Sequence, residues 1–208
     1  MKHLIDLETW NRKEHYLFFS KFDDPFFGIT VNADVTKTYI KCKEEGHKLS
    51  LFLLHAIMKC VNDTRVFKLR IENGSIVEYD TINVSPTVGR TDGTFGYGFF
   101  PYNPEFSKFA ETAELDIERV KSSIGLAFTD KTEGNNVIFY SAVPWLVFTE
   151  MKHATSFNTG DSVPRISTGK IFCEGDKYYL PISISCHHGL VDGRDISELI
   201  ERLENMYK

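Results

Sequence analysis

The residues best suited to chemistry lie near the end of the chain, in SISCHHGLVDGRD, residues 183 to 195. An imidazole titrates near neutral pH and can take the proton of a weak nucleophile such as a hydroxyl. A histidine closing an apolar strand and followed by Asp192-Gly193 is therefore a candidate general base. Neighbours on a strand face opposite sides, so His187 and His188 are not expected to ligate one metal ion together. His187 is expected to face the core and support the strand. Cys186 raises a Cys-His nucleophile, but as a strand neighbour it is expected to point away from His188. Asp192 reads by itself as a helix N-cap.

These groups must be held by a framework, and the periodicity outlines one. FGITVNADV (27 to 35) reads as a strand feeding a helix that ends near Gly46. Ser50 is a plausible N-cap for LFLLHAIMKCVND, whose apolar residues wrap most of the helix, as in one buried on more than one side. FKLRIENGSIVEYD alternates on both sides of Asn73-Gly74, a strong hairpin signal, and INVSPTV and FGYGFF follow as further strands. A helix is expected from Pro104 to about Ser122, with Phe106, Phe109, Ala110, Leu115 and Ile117 on its apolar face. TDKTEGNN (129 to 136) reads as a polar loop. VIFYSAVPW, WLVFTE and GKIFCEGDKYYLPISISC read as strands, and a last helix from about Asp192 to Tyr207 carries the stripe Ile196, Leu199, Ile200, Leu203. The expected fold class is mixed α/β (α+β), helices packed on a large sheet in one domain over residues 1–208.

Composition narrows the function. The chain carries 24 basic and 29 acidic side chains, net charge -5, with no basic block, which argues against a nucleic-acid partner. No stretch of about 18 apolar residues or signal-peptide pattern occurs, so neither a membrane span nor export is expected and the protein reads as cytoplasmic. Cys42, Cys60, Cys173 and Cys186 stand singly, as reduced thiols rather than a zinc site or disulfide framework.

His187-His188-Gly189-Leu190-Val191-Asp192-Gly193 forms HHxxxDG, WNRKEHY stands at 10 to 16 and YSAVPW at 140 to 145. In these three segments the chain resembles the chloramphenicol acetyltransferase family, related to the catalytic domains of dihydrolipoyl acyltransferases. The resemblance covers essentially the whole chain. It implies a two-layer coenzyme A-dependent acyltransferase fold and direct transfer from acetyl-CoA to a hydroxyl, with no metal. By it, His188 is the base, Ser141 a hydroxyl donor to the tetrahedral oxyanion, and Asp192 and Arg12 an ion pair that positions His188. Breaking such a pair, if buried, costs about 3 to 5 kcal/mol.

The resemblance further implies a homotrimer whose sites lie between subunits, His188 and Ser141 coming from different chains. Lys48 and Lys170 align with family lysines near the nucleotide end of the coenzyme A tunnel. Phe19, Phe95, Tyr97, Phe128, Met151, His153, Thr155 and Arg165 fall at the acceptor pocket. Phe95 and Phe128 match the family. Phe19 stands for a usual tyrosine, Tyr97 for a small residue, and Met151, His153, Thr155 and Arg165 depart from mostly apolar or aromatic positions. A charged or polar side chain there must be solvated or paired. The function implied is chloramphenicol O-acetylation, conferring resistance. The alternatives are the same chemistry on another hydroxylated small molecule, and a non-catalytic trimeric binding protein. A dihydrolipoyl acyltransferase core is set aside because no Ala/Pro-rich linker or lipoyl domain accompanies it.

Overall fold

In the computed structural model, which describes residues 1–155, 157 and 159–207, the chain builds two sheets and five α-helices. The N-terminal segment, to which the periodicity assigns no element, forms β1 (Lys2–Leu4) and α1 (Lys13–Phe19). β2 (Phe26–Asp34) leads into α2 (Thr36–Glu44), and α3 (Leu49–Asp63) follows. Every residue of α3 from Leu51 to Met58 is buried, as its wrap-around apolar pattern requires. Ser50 does not cap it: the helix already includes Leu49, and the flanking Lys48 makes no side-chain cap bond.

β3 (Leu69–Glu72) and β4 (Ser75–Tyr79) form the expected hairpin. Asn73 and Gly74 both take positive φ, 50° and 76°, as a two-residue turn matched to strand twist demands. With β1 they make an antiparallel sheet in the order β1-β4-β3. β5 (Asn83–Gly89) and β6 (Phe95–Tyr97) precede α4 (Phe106–Lys121). The buried stripe of α4 is Phe109, Ala113 and Val120; Leu115 falls outside it and is 70% exposed, against expectation.

β7 (Val137–Ala142), β8 (Arg165–Thr168), β9 (Phe172–Glu174), β10 (Lys177–His187) and α5 (Gly193–Glu204) complete the chain. WLVFTE is not a strand: Trp145, Leu146 and Val147 are exposed, and the strand between β7 and β10 is β8, from the run RIST. An apolar run alone does not specify a strand, whereas RIST alternates as a strand with one polar face does. The large sheet runs β2-β10-β8-β7-β5-β6, with β9 paired to β10. β8 and β5 flank β7 in parallel, and the other pairs are antiparallel.

Register assigns the two faces of this sheet, because paired residues share a side. Ile29, Val31, Ile182, Ile184, Ile166, Ile138 and Val84 share one face and join the helices in the hydrophobic core. The other face is rich in hydroxyls: Ser183 and Ser185 on β10, Ser167 on β8, Ser141 on β7, Ser85 and Thr87 on β5. Arg70 is fully buried and donates to the carbonyls of Phe67, Leu69, Asn135 and Val137 at 2.6 to 2.9 Å, tying β3 to the start of β7. Burial pulls its pKa down to about 10.

Candidate active site

β10 ends at His187, and His188 opens the turn that leads into α5. Its backbone N–H donates to the Pro25 carbonyl at 2.8 Å. Gly189 must be small: a Cβ there would come within 3.0 Å of the His187 ring and 3.1 Å of the Tyr16 backbone. The His188 ring is sandwiched between Phe19 and Phe27, with both centroids at 4.2 Å. Its Nδ1 lies 3.2 Å from the Val191 carbonyl oxygen. A carbonyl only accepts, so Nδ1 carries the proton and Nε2 keeps its lone pair. The ring is thus held face-on by two aromatics, in the tautomer a base needs.

Arg12 approaches the same turn. Its Nη1 donates to Asp192 Oδ2 at 2.7 Å and its Nη2 to the His188 carbonyl at 3.1 Å. Arg12 precedes α1 and Phe19 closes it; seven residues are two helical turns, so one short helix presents both residues to His188. Tyr16, between them, donates to the Gly74 carbonyl at 3.1 Å and seats the helix on the hairpin turn.

Asp192 is at once ion-pair partner and N-cap. Its Oδ1 accepts from the backbone N–H of Arg194 at 2.9 Å and of Asp195 at 3.3 Å, and Asp195 completes a capping box. Burial pushes its carboxyl pKa up, but the Arg12 bond and the two N–H donors outweigh this and hold it below the ordinary value. The pair is half-open rather than buried, with side-chain exposures of 14% for Arg12 and 39% for Asp192, so solvent screens it.

His187 is buried as expected, on the hydroxyl face of the sheet and not on the helix side. It accepts the Gly189 N–H on Nδ1 at 3.0 Å, and burial brings its pKa down to about 4. Cys186 is fully buried on the helix side, its pKa pushed up to about 12 by burial. Against the expectation that it points away, Cys186 shares this side with His188: it pairs with Phe27 on β2, and His188 stacks on the Phe27 ring.

Ser141 lies elsewhere. On the hydroxyl face of β7, its Oγ is 3.2 Å from Thr87 Oγ1. It opens on a cavity of about 580 Å³ that Tyr97, Phe128, Met151, His153 and Arg165 also line. Tyr97 and Phe128 stack at 4.9 Å and form an aromatic wall. Of the other residues expected at the pocket, Phe19 packs on His188, Thr155 borders a neighbouring cavity beside His187, and Phe95 is 45% exposed against Tyr97.

The polar departures are paired. His153 Nε2 is 2.8 Å from Ser167 Oγ, and burial, then the Arg165 charge, lowers its pKa. Arg165 forms an ion pair with Asp161 and stacks its guanidinium 4.5 Å above the Phe26 ring. Lys170 is exposed and borders a groove of about 230 Å³ with Leu49, Ser50 and Tyr140; Lys48 is exposed next to Leu49.

Within one chain, His188 and Ser141 do not meet. Ser141 is level with Ser167 and Ser183, two strands from β10 and five residues short of His188, which implies roughly 15 to 20 Å between them. They also lie on opposite faces: His188 rests on Phe27, which packs against the helix-side core. Phe27, Ser85, Thr87 and Asp161 belong to these surroundings and no motif marks them. Strand register brings Phe27, Ser85 and Thr87 there, and Asp161 comes with Arg165, four residues on.

A family model described as "Chloramphenicol acetyltransferase" matches residues 2–204. A chloramphenicol acetyltransferase from Proteus mirabilis is 28% identical over 202 residues, 97% of this chain and 92% of its own. A solved chloramphenicol acetyltransferase superposes with a TM-score of 0.91 at 29% identity, covering 100% of both chains. The dihydrolipoamide acetyltransferase of Azotobacter vinelandii shares the fold, with a TM-score of 0.66 at 16% identity over 93% of this chain and 86% of its own.

Proposed function

This chain belongs to the chloramphenicol acetyltransferase family, and on that premise we propose that it acetylates a hydroxyl of chloramphenicol from acetyl-CoA, with His188 as base. The observation that carries this reading is the His188 ring, clamped by Phe19 and Phe27 with Nδ1 donating to the Val191 carbonyl. That arrangement leaves Nε2 as the only ring atom able to take a proton.

In the proposed reaction Nε2 accepts the hydroxyl proton as the oxygen attacks the thioester carbonyl. The tetrahedral oxyanion is stabilised by the Ser141 hydroxyl, worth several kcal/mol for a preorganised donor. Collapse breaks the C–S bond, and the proton on His188 Nε2 passes to the departing sulfur, releasing the free thiol and restoring the base. Arg12 and Asp192 act through the backbone of residues 188 to 192 and are positioning residues.

The separation of His188 from Ser141 supports a homotrimer, in which a cyclic interface brings the base of one subunit to the serine pocket of the next. Trp145, Leu146, Phe95 and Phe128 are large apolar side chains left exposed in the single chain, surface of a kind that assembly covers. Lys48 and Lys170 border the end at which the coenzyme A nucleotide would lie. We assign the whole reaction to one cytoplasmic domain over residues 1–208, conferring resistance on its host.

The test is thiol release from acetyl-CoA with chloramphenicol as acceptor, run beside His188→Ala. Turnover that falls about 10² to 10⁴-fold in the variant supports the reading. Absence of turnover in the wild type, with acetyl-CoA still bound, removes chloramphenicol as acceptor; unchanged turnover in His188→Ala removes the base.

A further inference from the structure

Three residues that line the cavity beside Ser141 carry buried polar atoms for which the chain itself provides nothing. Among the described residues, Ser85 Oγ, His153 Nδ1 and Arg165 Nη1 are buried without a hydrogen-bond partner, and all three residues line this cavity. Ser85 is 1% and Arg165 9% exposed. Leaving buried polar atoms unmet is costly, and a guanidinium can only donate, so the complement of Arg165 Nη1 is an acceptor oxygen. Ser85 can give or take a hydrogen bond, and His153 Nδ1 does one or the other according to its tautomer.

Register joins Ser85 to Arg165, and His153, bonded to Ser167 on β8, lines the same cavity. Ser85, Phe139 and Arg165 occupy one row across β5, β7 and β8, and Ser141 lies two residues further along β7. Two residues of strand are about 7 Å. An acceptor molecule presenting its hydroxyl at Ser141 would therefore extend a second group over the Phe139 ring to the Ser85–Arg165 row.

Charge selects what that group is. Arg165 is balanced by Asp161, and the remaining charged residues of the lining, Lys152 and Glu133, cancel. Burial keeps His153 on the neutral side. A carboxylate would leave a net negative charge in the cavity, and an alkyl group would leave the donors unmet. An amide offers an acceptor to Arg165 and a donor to Ser85 or His153.

We propose that Ser85, His153 and Arg165 form a neutral polar subsite of the acceptor pocket that recognises an uncharged amide or carbonyl group, in preference to a carboxylate or an alkyl group. This rests on the acetyltransferase reading above for the placement of the reacting hydroxyl at Ser141. Three benzyl alcohols that differ only at the para position, carrying a carboxamide, a carboxylate or a methyl group, probe it directly. They are compared in binding to the wild-type protein and in kcat/KM for acetyl transfer, with chloramphenicol as the reference acceptor.

The carboxamide is expected to bind about tenfold more tightly than the methyl compound, as one added hydrogen bond to a charged donor predicts, and more tightly than the carboxylate. Arg165→Met combined with Asp161→Asn, which leaves no lone charge behind, is expected to bring the carboxamide and methyl compounds level. Equal binding of those two by the wild type would overturn the subsite, and tightest binding of the carboxylate would overturn its neutrality. If none of the alcohols and no chloramphenicol is acetylated, the proposed function fails, while the binding order still decides the subsite.

Discussion

Asp192 joins two roles that substitution can pull apart. Asp192→Asn keeps an N-cap oxygen for the N–H groups of Arg194 and Asp195, since Asn and Asp cap equally well, but removes the charge facing Arg12 Nη1 at 2.7 Å. A fully buried pair would cost about 3 to 5 kcal/mol to break and an exposed one about 0 to 1. With Asp192 39% exposed and Arg12 still bonded to the His188 carbonyl, we expect about 1 to 2 kcal/mol, discounted for solvent screening. For a chain of this size that lowers Tm by roughly 3 to 6 °C. Asp192→Ala loses the cap as well, about 1 kcal/mol more.

The catalytic effect should exceed the thermal one, because residues 188 to 192 carry the base and a displacement of about 1 Å can cost about 10²-fold. We expect kcat to fall about 10- to 100-fold in Asp192→Asn, with the KM for acetyl-CoA changed by less than about twofold. The sign with pH follows from the lowered carboxyl pKa. The contribution is fully present above the ordinary value of 3.8 and lost as pH falls through the lower folded value. The Tm gap between wild type and Asp192→Asn should hold constant from pH 8 to 5 and close only below about pH 4. Scanning fluorimetry across pH and steady-state thiol release measure both parts. A variant with wild-type kcat, or a gap that widens in acid, would refute the positioning role.

Ser141→Ala should lower kcat about 10² to 10³-fold with little change in Tm; subunits of this variant co-assembled one-to-one with His188→Ala should recover about a quarter of the sites, whereas a site within one chain recovers none. Phe27→Leu removes one face of the His188 clamp and is expected to reduce kcat about tenfold by loosening the ring, read against an unchanged KM for acetyl-CoA. His187, buried with its pKa near 4, binds its proton more readily in the unfolded chain. The protein should therefore lose stability, up to about 3 kcal/mol, as pH falls from about 6.5 to 4, a slope that His187→Gln should flatten in urea titrations at pH 7 and 5.

Features that depend on neighbours along the chain are legible in the sequence. The Asn73-Gly74 turn, the wrap-around burial of α3, the stripe of α5 and the candidate base in HHxxxDG follow from backbone preference, side-chain period and chemistry within a few residues. Such signals miss where the strand is short or the run misleading, as with RIST against WLVFTE. The resemblance added Ser141 and the pairing of Arg12 with Asp192, which local pattern reads only as an N-cap. Their geometry belongs to the folded chain. It brings Arg12 to a carboxylate 180 residues away, rests His188 on Phe27, and aligns Ser85, Phe139 and Arg165 in one row. These depend on strand order and register between segments distant in sequence, set by the burial of one sheet face as a whole and not by any single segment. Asp161, four residues before Arg165, meets it locally, but it is the long-range pairing that seats Arg165 beside Phe139 and Ser85 with its Nη1 unmet.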